Sequence, residues 1–219
     1  MVFNNGDLFT WGDGQYGATG LGTSQNIYAP MKVDISTNGS QPRFSQVSCG
    51  KRHSLALDSV GTVFITGDNT YRQLGSSSVQ QIMAFRQLTD FSFSAKQVAA
   101  GTEHSLLLTN DGRVYSAGNN TNGNLGLGHN YSSDKFISVN GLQGLKFMHI
   151  SAGRHSGAIT EDNRLFVWGQ AFVCEKALLL PQELRSNKQI KFISIGEKSS
   201  SIIDEDSHLY TWGTDNSKG

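Results

Sequence analysis

Three of the six histidines in this 219-residue chain, His53, His104 and His155, stand 51 residues apart. Equally spaced imidazoles would occupy equivalent places in a repeating fold, and neutral imidazole is a common metal ligand. The same slot of a fourth copy holds Ser199, and His129, His149 and His208 keep no matching spacing. The pattern therefore reads as structural histidines, each satisfied by a local backbone hydrogen bond, and no metal is expected. Gly12-Asp-Gly14-Gln-Tyr-Gly17 spells G-x-G-x-x-G after a strand-like run. A dinucleotide site also needs a helix opening there, and Ala18-Thr-Gly-Leu-Gly-Thr-Ser24 is helix-poor. No cofactor is expected. Acidic residues gather at Glu161-Asp162 and Asp204-Glu205-Asp206, both in turns before a strand, where solvated carboxylates are the default. No Ser/His/Asp order, nucleophile elbow or carboxylate pair stands out, so no catalytic residue is assigned.

The elements that would hold these residues repeat. Five segments end alike: Gly6-Asp-Leu-Phe-Thr-Trp11-Gly12, Gly61-Thr-Val-Phe-Ile-Thr-Gly67, Gly112-Arg-Val-Tyr-Ser-Ala-Gly118, Asn163-Arg-Leu-Phe-Val-Trp168-Gly169 and Ser207-His-Leu-Tyr-Thr-Trp212-Gly213. Their closing glycines are 55, 51, 51 and 44 residues apart. A second motif keeps step in Gly50-Lys51-Arg52-His53, Gly101-Thr-Glu-His104 and Gly153-Arg154-His155, with a worn copy at Gly196-Glu-Lys198-Ser199. A third places Gly17, Gly20 and Gly22 after Gly12 at the offsets of Gly123, Gly126 and Gly128 after Gly118. Three motifs in one register define four copies, about 6–60, 61–111, 112–162 and 163–206, with part of a fifth at 207–219.

Each copy offers short runs of alternating apolar residues between Gly, Asn and Ser turns. In the first these are Asp7–Trp11, roughly Met31–Val33, Phe44–Cys49 and Ser54–Leu57. One such sheet cannot bury both faces alone; sheets stacked around an axis cover one another. The expected fold is all-β, a β-propeller of ~51-residue repeats. The recurrent glycines would mark positive φ or close backbone approach, and Cys49, Ala100 and Ala152 before them would allow tight packing. Trp11, Trp168 and Trp212 share a slot with Thr66 and Ala117, a spread expected to pack toward the propeller shaft.

The segments 11–22, 48–57, 100–128 and 151–169 resemble the repeat of the regulator of chromosome condensation family. The resemblance implies a propeller whose closed form has seven blades, more than this length supplies. The leading expectation is therefore part of a longer propeller. The others are closure with four or five irregular blades, or completion by another chain through unclosed edges, including self-association. The fourth copy departs most, with Ala171–Leu180 replacing the Gly-Leu-Gly loop, where a helical turn could form. The first carries four extra residues within Ser36–Pro42.

What the family implies for function is binding through the rims. A non-catalytic protein-interaction scaffold is the leading expectation, and the exposed turns Lys51, Arg52, Arg154 and Lys198, with Glu161 and Asp162, are the candidate partner-binding rim. The alternative is guanine-nucleotide exchange on a small GTPase, as in the founding member, which uses a projecting wedge and a basic chromatin-binding tail. No wedge is inserted in the Gly-Leu-Gly loops here, and the first strand begins by residue 7. Plant ultraviolet-sensing members carry Gly-Trp-Arg-His-Thr motifs; the matching segments Gly50-Lys-Arg-His53-Ser and Gly153-Arg-His155-Ser lack the tryptophan.

Charge agrees with a protein partner: 18 basic residues balance 18 acidic ones, so no nucleic-acid footprint is visible. Cys49 and Cys174 form no CxxC pair and no disulfide framework. The opening Met1-Val-Phe-Asn-Asn-Gly6 lacks a basic and apolar leader, and no run nears the ~20 apolar residues of a membrane span. An intracellular protein, cytoplasmic or nuclear and not secreted, is expected. The sequons at Asn38, Asn119 and Asn130 then read as chance.

Overall fold

The computed structural model describes residues 1–36, 41–77, 80–171 and 176–213. The first copy's extra residues, Asn38, Cys174, positions 172–175 of the divergent stretch and the final loop fall wholly or partly outside them; the described end of that stretch, from Leu178, is strand rather than a helical turn.

The described residues form seventeen strands in five antiparallel sheets. Sheet one is a pair, β1 (Phe9–Gly12) and β2 (Ile27–Lys32), with a 3-10 turn at Gln15–Gly17 between them. Sheet two runs β3 (Phe44–Cys49), β4 (His53–Asp58), β5 (Val63–Asp68), β6 (Gln81–Gln87). Sheet three is β7 (Ala95–Ala100), β8 (His104–Thr109), β9 (Val114–Gly118), β10 (Ser133–Ser138), and sheet four β11 (Phe147–Ala152), β12 (Ser156–Thr160), β13 (Leu165–Gly169), β14 (Leu178–Leu184). Sheet five holds three strands, β15 (Ile190–Ile195), β16 (Ser199–Asp204) and β17 (Leu209–Gly213).

Sheets and sequence copies are out of phase. Sheet two spans 44–87, so its first two strands end one copy and its last two open the next. The strands expected at 7–11, 31–33, 44–49 and 54–57 correspond to β1, β2, β3 and β4. The chain thus opens on the outer half of one sheet and its described part closes on the inner three strands of another.

Apolar cores fill the four gaps between the five sheets. Leu55, Leu57 and Ile65 of sheet two meet Val98, Leu107 and Tyr115 of sheet three. Leu106 and Leu108 on the other face of sheet three meet Ile150, Phe166 and Trp168 of sheet four. β4, β5, β8, β9, β12 and β13 are buried at every residue, because each is flanked within its sheet and covered on both faces. Each fully buried leucine contributes about 1.5–3 kcal/mol of transfer free energy. The outer strands β6, β10 and β14 alternate instead between solvent and core.

The recurrent glycines do two different things. Gly118, closing β9, has φ +115°, open to glycine but strained for an L side chain. Gly101 and Gly153 do not have positive φ; close approach is what requires them. A Cβ on Gly153 would stand 2.4 Å from the Ile195 carbonyl oxygen and 2.5 Å from that of Gly196, both in the next sheet's turn.

Candidate protein interface

The recurrent histidines face the gaps between sheets. His53 Nε2 lies 2.9 Å from Ser105 Oγ, and His104 Nε2 lies 2.8 Å from Ser156 Oγ, each serine belonging to the next sheet. Ser105 and Ser156 donate onward to the carbonyls of Gln73 and Asn124, both at 2.7 Å. A hydroxyl that donates its proton must accept from the ring, so Nε2 carries the hydrogen and Nδ1 the lone pair. The expected local backbone partner is therefore corrected to a neighbouring sheet's hydroxyl. Burial pushes His53 and His155 down to about 4, with the Arg154 charge adding to the shift of His155. His104 falls to about 3, mainly through burial and then through its neighbours His53 and His155. All three are neutral near pH 7.

The serine and the residue before the closing glycine anchor the long loops. Ser54, Ser105 and Ser156 each donate to the carbonyl six residues after a closing glycine: Ala18 at 2.8 Å, Gln73 and Asn124. Trp168, fully buried, donates its indole N–H to the same Asn124 carbonyl at 2.9 Å, and Thr66 donates to Gly17 O at 2.9 Å. These side chains fill the gaps between sheets rather than the shaft, because the third strand of each sheet lies two strands from the axis. Trp11 is 48% exposed and Trp212 is half-buried, since the sheets carrying them are covered on fewer sides.

Another recurrent slot ties the inner strands together. Gln46 accepts the Val98 N–H at 3.0 Å and donates to its carbonyl at 3.2 Å; Gln97 does the same to Ile150 at 2.9 and 3.0 Å. His149 takes this slot on β11, with Nε2 3.0 Å from the Ile193 carbonyl. Burial lowers its pKa, against that carbonyl bond, which raises it. Ser48 and Ser151 add bonds from the N–H groups of Ala100 and Ile195, each at 2.9 Å. Sequence reasoning passed over these residues because Gln and His look unrelated; their spacing of 51 and 52 was the available signal.

With the recurrent polar side chains engaged between sheets, the two rims remain as the exposed, variable surface. The Gly-x-x-His turns and the loops leaving β1, β5, β9 and β13 share one rim, which carries Lys51, Arg52, Arg154 and Lys198, all exposed. Arg52 lies over the Tyr16 ring at 4.6 Å. Glu103 and Glu197 occupy the same turns, so the ring is mixed in charge rather than basic. Glu161 and Asp162 sit at the opposite end of the strands, in the β12–β13 turn, where Asp162 pairs with Arg164 at 2.8 Å. The structure therefore divides the six candidate rim residues between two rims.

The second rim also holds a cleft of about 530 Å³, between the β8–β9 turn and the loop from β10 to β11. Val114, Val139, Leu142 and Phe147 form its walls, with Arg113 and Lys146 among its lining. On the same rim Asp204, Asp206 and His208 could each offer one ligand atom within 4.8 Å. The Lys188 ammonium lies 3.6 Å from Asp204 and 3.5 Å from Asp206, so a cation already satisfies this turn. Asp204 is 1% exposed and accepts the His208 N–H at 2.8 Å, a turn cap rather than the solvated carboxylate expected.

Comparison with known proteins places this architecture. The regulator of chromosome condensation (RCC1) repeat matches residues 5–57 and 111–159, and a second model of that repeat matches 44–73 and 95–124. The chain is 34% identical over 171 residues to the ultraviolet-B receptor UVR8 of Arabidopsis thaliana, covering 77% of this chain and 38% of the receptor. It is 30% identical over 204 residues to a human RCC1-like G exchanging factor-like protein, covering 85% and 44%. Human WBSCR16 superposes with a TM-score of 0.84 at 26% identity, over 94% of this chain and 56% of that one. Yeast Prp20p, at 22% identity and a TM-score of 0.80, shares the fold. The chain spans less than half the length of these two sequence relatives. Among the described residues no helix is long and apolar enough to cross a membrane. Repeat, strand order and relatives agree: the chain belongs to the regulator of chromosome condensation repeat family.

Proposed function

We propose that this chain is a non-catalytic interaction module that binds a protein partner through its rims. One observation carries the reading: the residues that recur from copy to copy and could do chemistry are spent between sheets, while what differs between copies lies exposed at the strand ends. Between the rims, the cleft walled by Val114, Val139, Leu142 and Phe147 supports binding on its side, since concave apolar surface edged by a few charges is what a partner's side chain can fill. The expected outcome is that Gln143→Arg with Lys146→Glu, both exposed, abolishes partner capture and cross-linking, whereas Lys51→Glu with Arg154→Glu leaves it. The reverse pattern moves the interface to the other rim. Loss with neither pair overturns binding through the rims.

Exchange on a small GTPase is the second reading, favoured by the relative named as an RCC1-like G exchanging factor-like protein. Exchange needs no covalent chemistry, only tighter binding of the nucleotide-free GTPase. Release of fluorescent GDP from a panel of small GTPases tests it. Acceleration of one GTPase by folded protein supports exchange; none across the panel leaves the module reading alone. Two cysteines without a CxxC pair or disulfide framework fit a cytoplasmic or nuclear protein, which imaging of the tagged chain checks.

A further inference from the structure

The loop that carries the chain from one sheet's outer strand to the next sheet's inner strand repeats its anchors. Leu88 and Val139 donate their N–H groups to the carbonyls of Val63 and Val114, at 2.8 and 3.0 Å, and Ala95 and Phe147 donate to those of Gly61 and Gly112, both at 2.9 Å. A cleft lies between each such loop and the hairpin turn of its sheet, so the cleft of sheet three has counterparts in sheets two and four. The three differ in what closes them. In sheet two Phe91 and Phe93 line a space of about 190 Å³. Phe93 stacks on Tyr115 of the next sheet at 5.3 Å, and Phe91 meets the same ring edge-on at 5.2 Å. In sheet four the space is about 270 Å³ and its charges are paired, Arg164 with Asp162 and Glu183 and Lys188 with Asp206. Sheet three has about 530 Å³ and neither device. Its loop carries Leu142 and Leu145 in place of the two rings and adds Gly141 and Gly144, at φ +77° and +80°. Nothing lies within 4 Å of the point where a Gly144 side chain would begin. Of the two cations lining this cleft, Arg113 pairs with Asp111 at 3.2 Å, whereas Lys146, exposed, makes no ion pair among the described residues.

We propose that the sheet-three cleft receives an aromatic side chain with a carboxylate beside it, both from one extended segment of a partner protein. This rests on the reading that the chain binds protein through its rims. The partner's ring supplies what Phe91 and Phe93 supply to the cleft of sheet two, and its carboxylate pairs with Lys146. Sheets two and four cover the two faces of sheet three, so every wall of the cleft is in place. Val114, Val139, Leu142 and Phe147 take a ring without stranding a polar group. An aromatic ring suits the space better than a long aliphatic chain, because it buries a large apolar area with few rotatable bonds. The single unanswered cation at the mouth sets the sign of the neighbouring group, since a like charge there would be repelled.

The test titrates three short peptides of glycine and serine into the isotope-labelled chain, up to millimolar concentration. One carries phenylalanine beside aspartate, one phenylalanine beside lysine, and one alanine beside aspartate. The first is expected to shift the amide signals of Ser138, Gln143, Gly144 and Lys146, and the other two to bind more weakly. Lys146→Glu should weaken the first peptide about fivefold, as a water-exposed ion pair allows, and make the phenylalanine–lysine peptide the tighter ligand. Such an exchange of preference cannot come from a loss of fold. Gly144→Phe, which puts a ring of the chain's own at the cleft, should abolish binding of both, with its melting curve as the check on folding; where that variant does not fold, the exchange of preference decides alone. No shift at the cleft with any peptide overturns the proposal, and so does binding that Lys146→Glu does not redirect. Should Gln143→Arg with Lys146→Glu still abolish partner capture in that event, only the chemistry assigned to the partner falls. Should it leave capture intact, the cleft falls as the interface too.

Discussion

His104 donates its Nε2–H to Ser156, and burial keeps the ring neutral, because a proton added at Nδ1 would bring a charge with no water to solvate it. An unfolded histidine titrates near 6.5, and the folded values are lower, about 4 for His53 and His155 and about 3 for His104. Between 6.5 and those values the unfolded chain binds protons that the folded one does not. Stability is therefore complete above about 6.5 and is lost as pH falls through that window. The urea midpoint should drop steadily from pH 7 to 5, and His104→Asn should lower it at pH 7 while flattening the slope. A midpoint independent of pH over that range would contradict the buried neutral rings. At the same scale, Gly153→Ala should cost more than about 2 kcal/mol, since the new methyl meets backbone of the next sheet that cannot swing away. Gly144→Ala, at φ +80° with nothing within 4 Å of the new atom, should cost only about 1 kcal/mol of backbone strain. A loss at Gly153 no larger than that at Gly144 would show that close approach does not govern the Gly153 turn.

The inner strands are joined by side chains rather than by a shared backbone ladder. Gln97 satisfies both backbone groups of Ile150, so Gln97→Ala should leave a donor and an acceptor stranded and cost about 2–4 kcal/mol, read as a shift in denaturation midpoint. Gln97→Glu keeps the acceptor but not the donor and should fall between. Strand positions were legible because Val, Ile, Leu and aromatic residues alternate between glycine turns, and Phe44–Cys49 ends where the sequence pattern ends. The phase of the sheets was not legible. The eye fixes on Trp-Gly as a terminus, yet that glycine closes a third strand, and the fourth strands Ile27–Lys32 and Gln81–Gln87 share little sequence. The tryptophans were assigned to the shaft for the same reason: side-chain size is visible in a sequence, distance from the axis is not. Nor did six rim residues of either charge reveal that they divide between opposite strand ends, since that depends on which way each turn faces.

At the scale of the whole molecule, each sheet touches only its neighbours, so stability is a sum of sheets and the gaps between them. The middle gaps bury full apolar sets from both sides, while β17 is exposed at four of its five residues and β13 at none. Fluctuations should therefore begin at the ends. Amide exchange at pH 7 is expected to be fast across Leu209–Gly213 and slow across Leu165–Gly169, although both strands carry the same motif. A substitution then acts according to its position. Trp168→Ala removes a fully buried side chain from the gap between sheets three and four and leaves Asn124 short of a donor; a loss of about 3–5 kcal/mol should unfold the fan as a unit. Trp212→Ala, in the half-covered sheet, should raise exchange in β15–β17 alone and leave the protection of β8 and β12 unchanged. If Trp212→Ala instead unfolded every sheet together, the nearest-neighbour account of this molecule would fail.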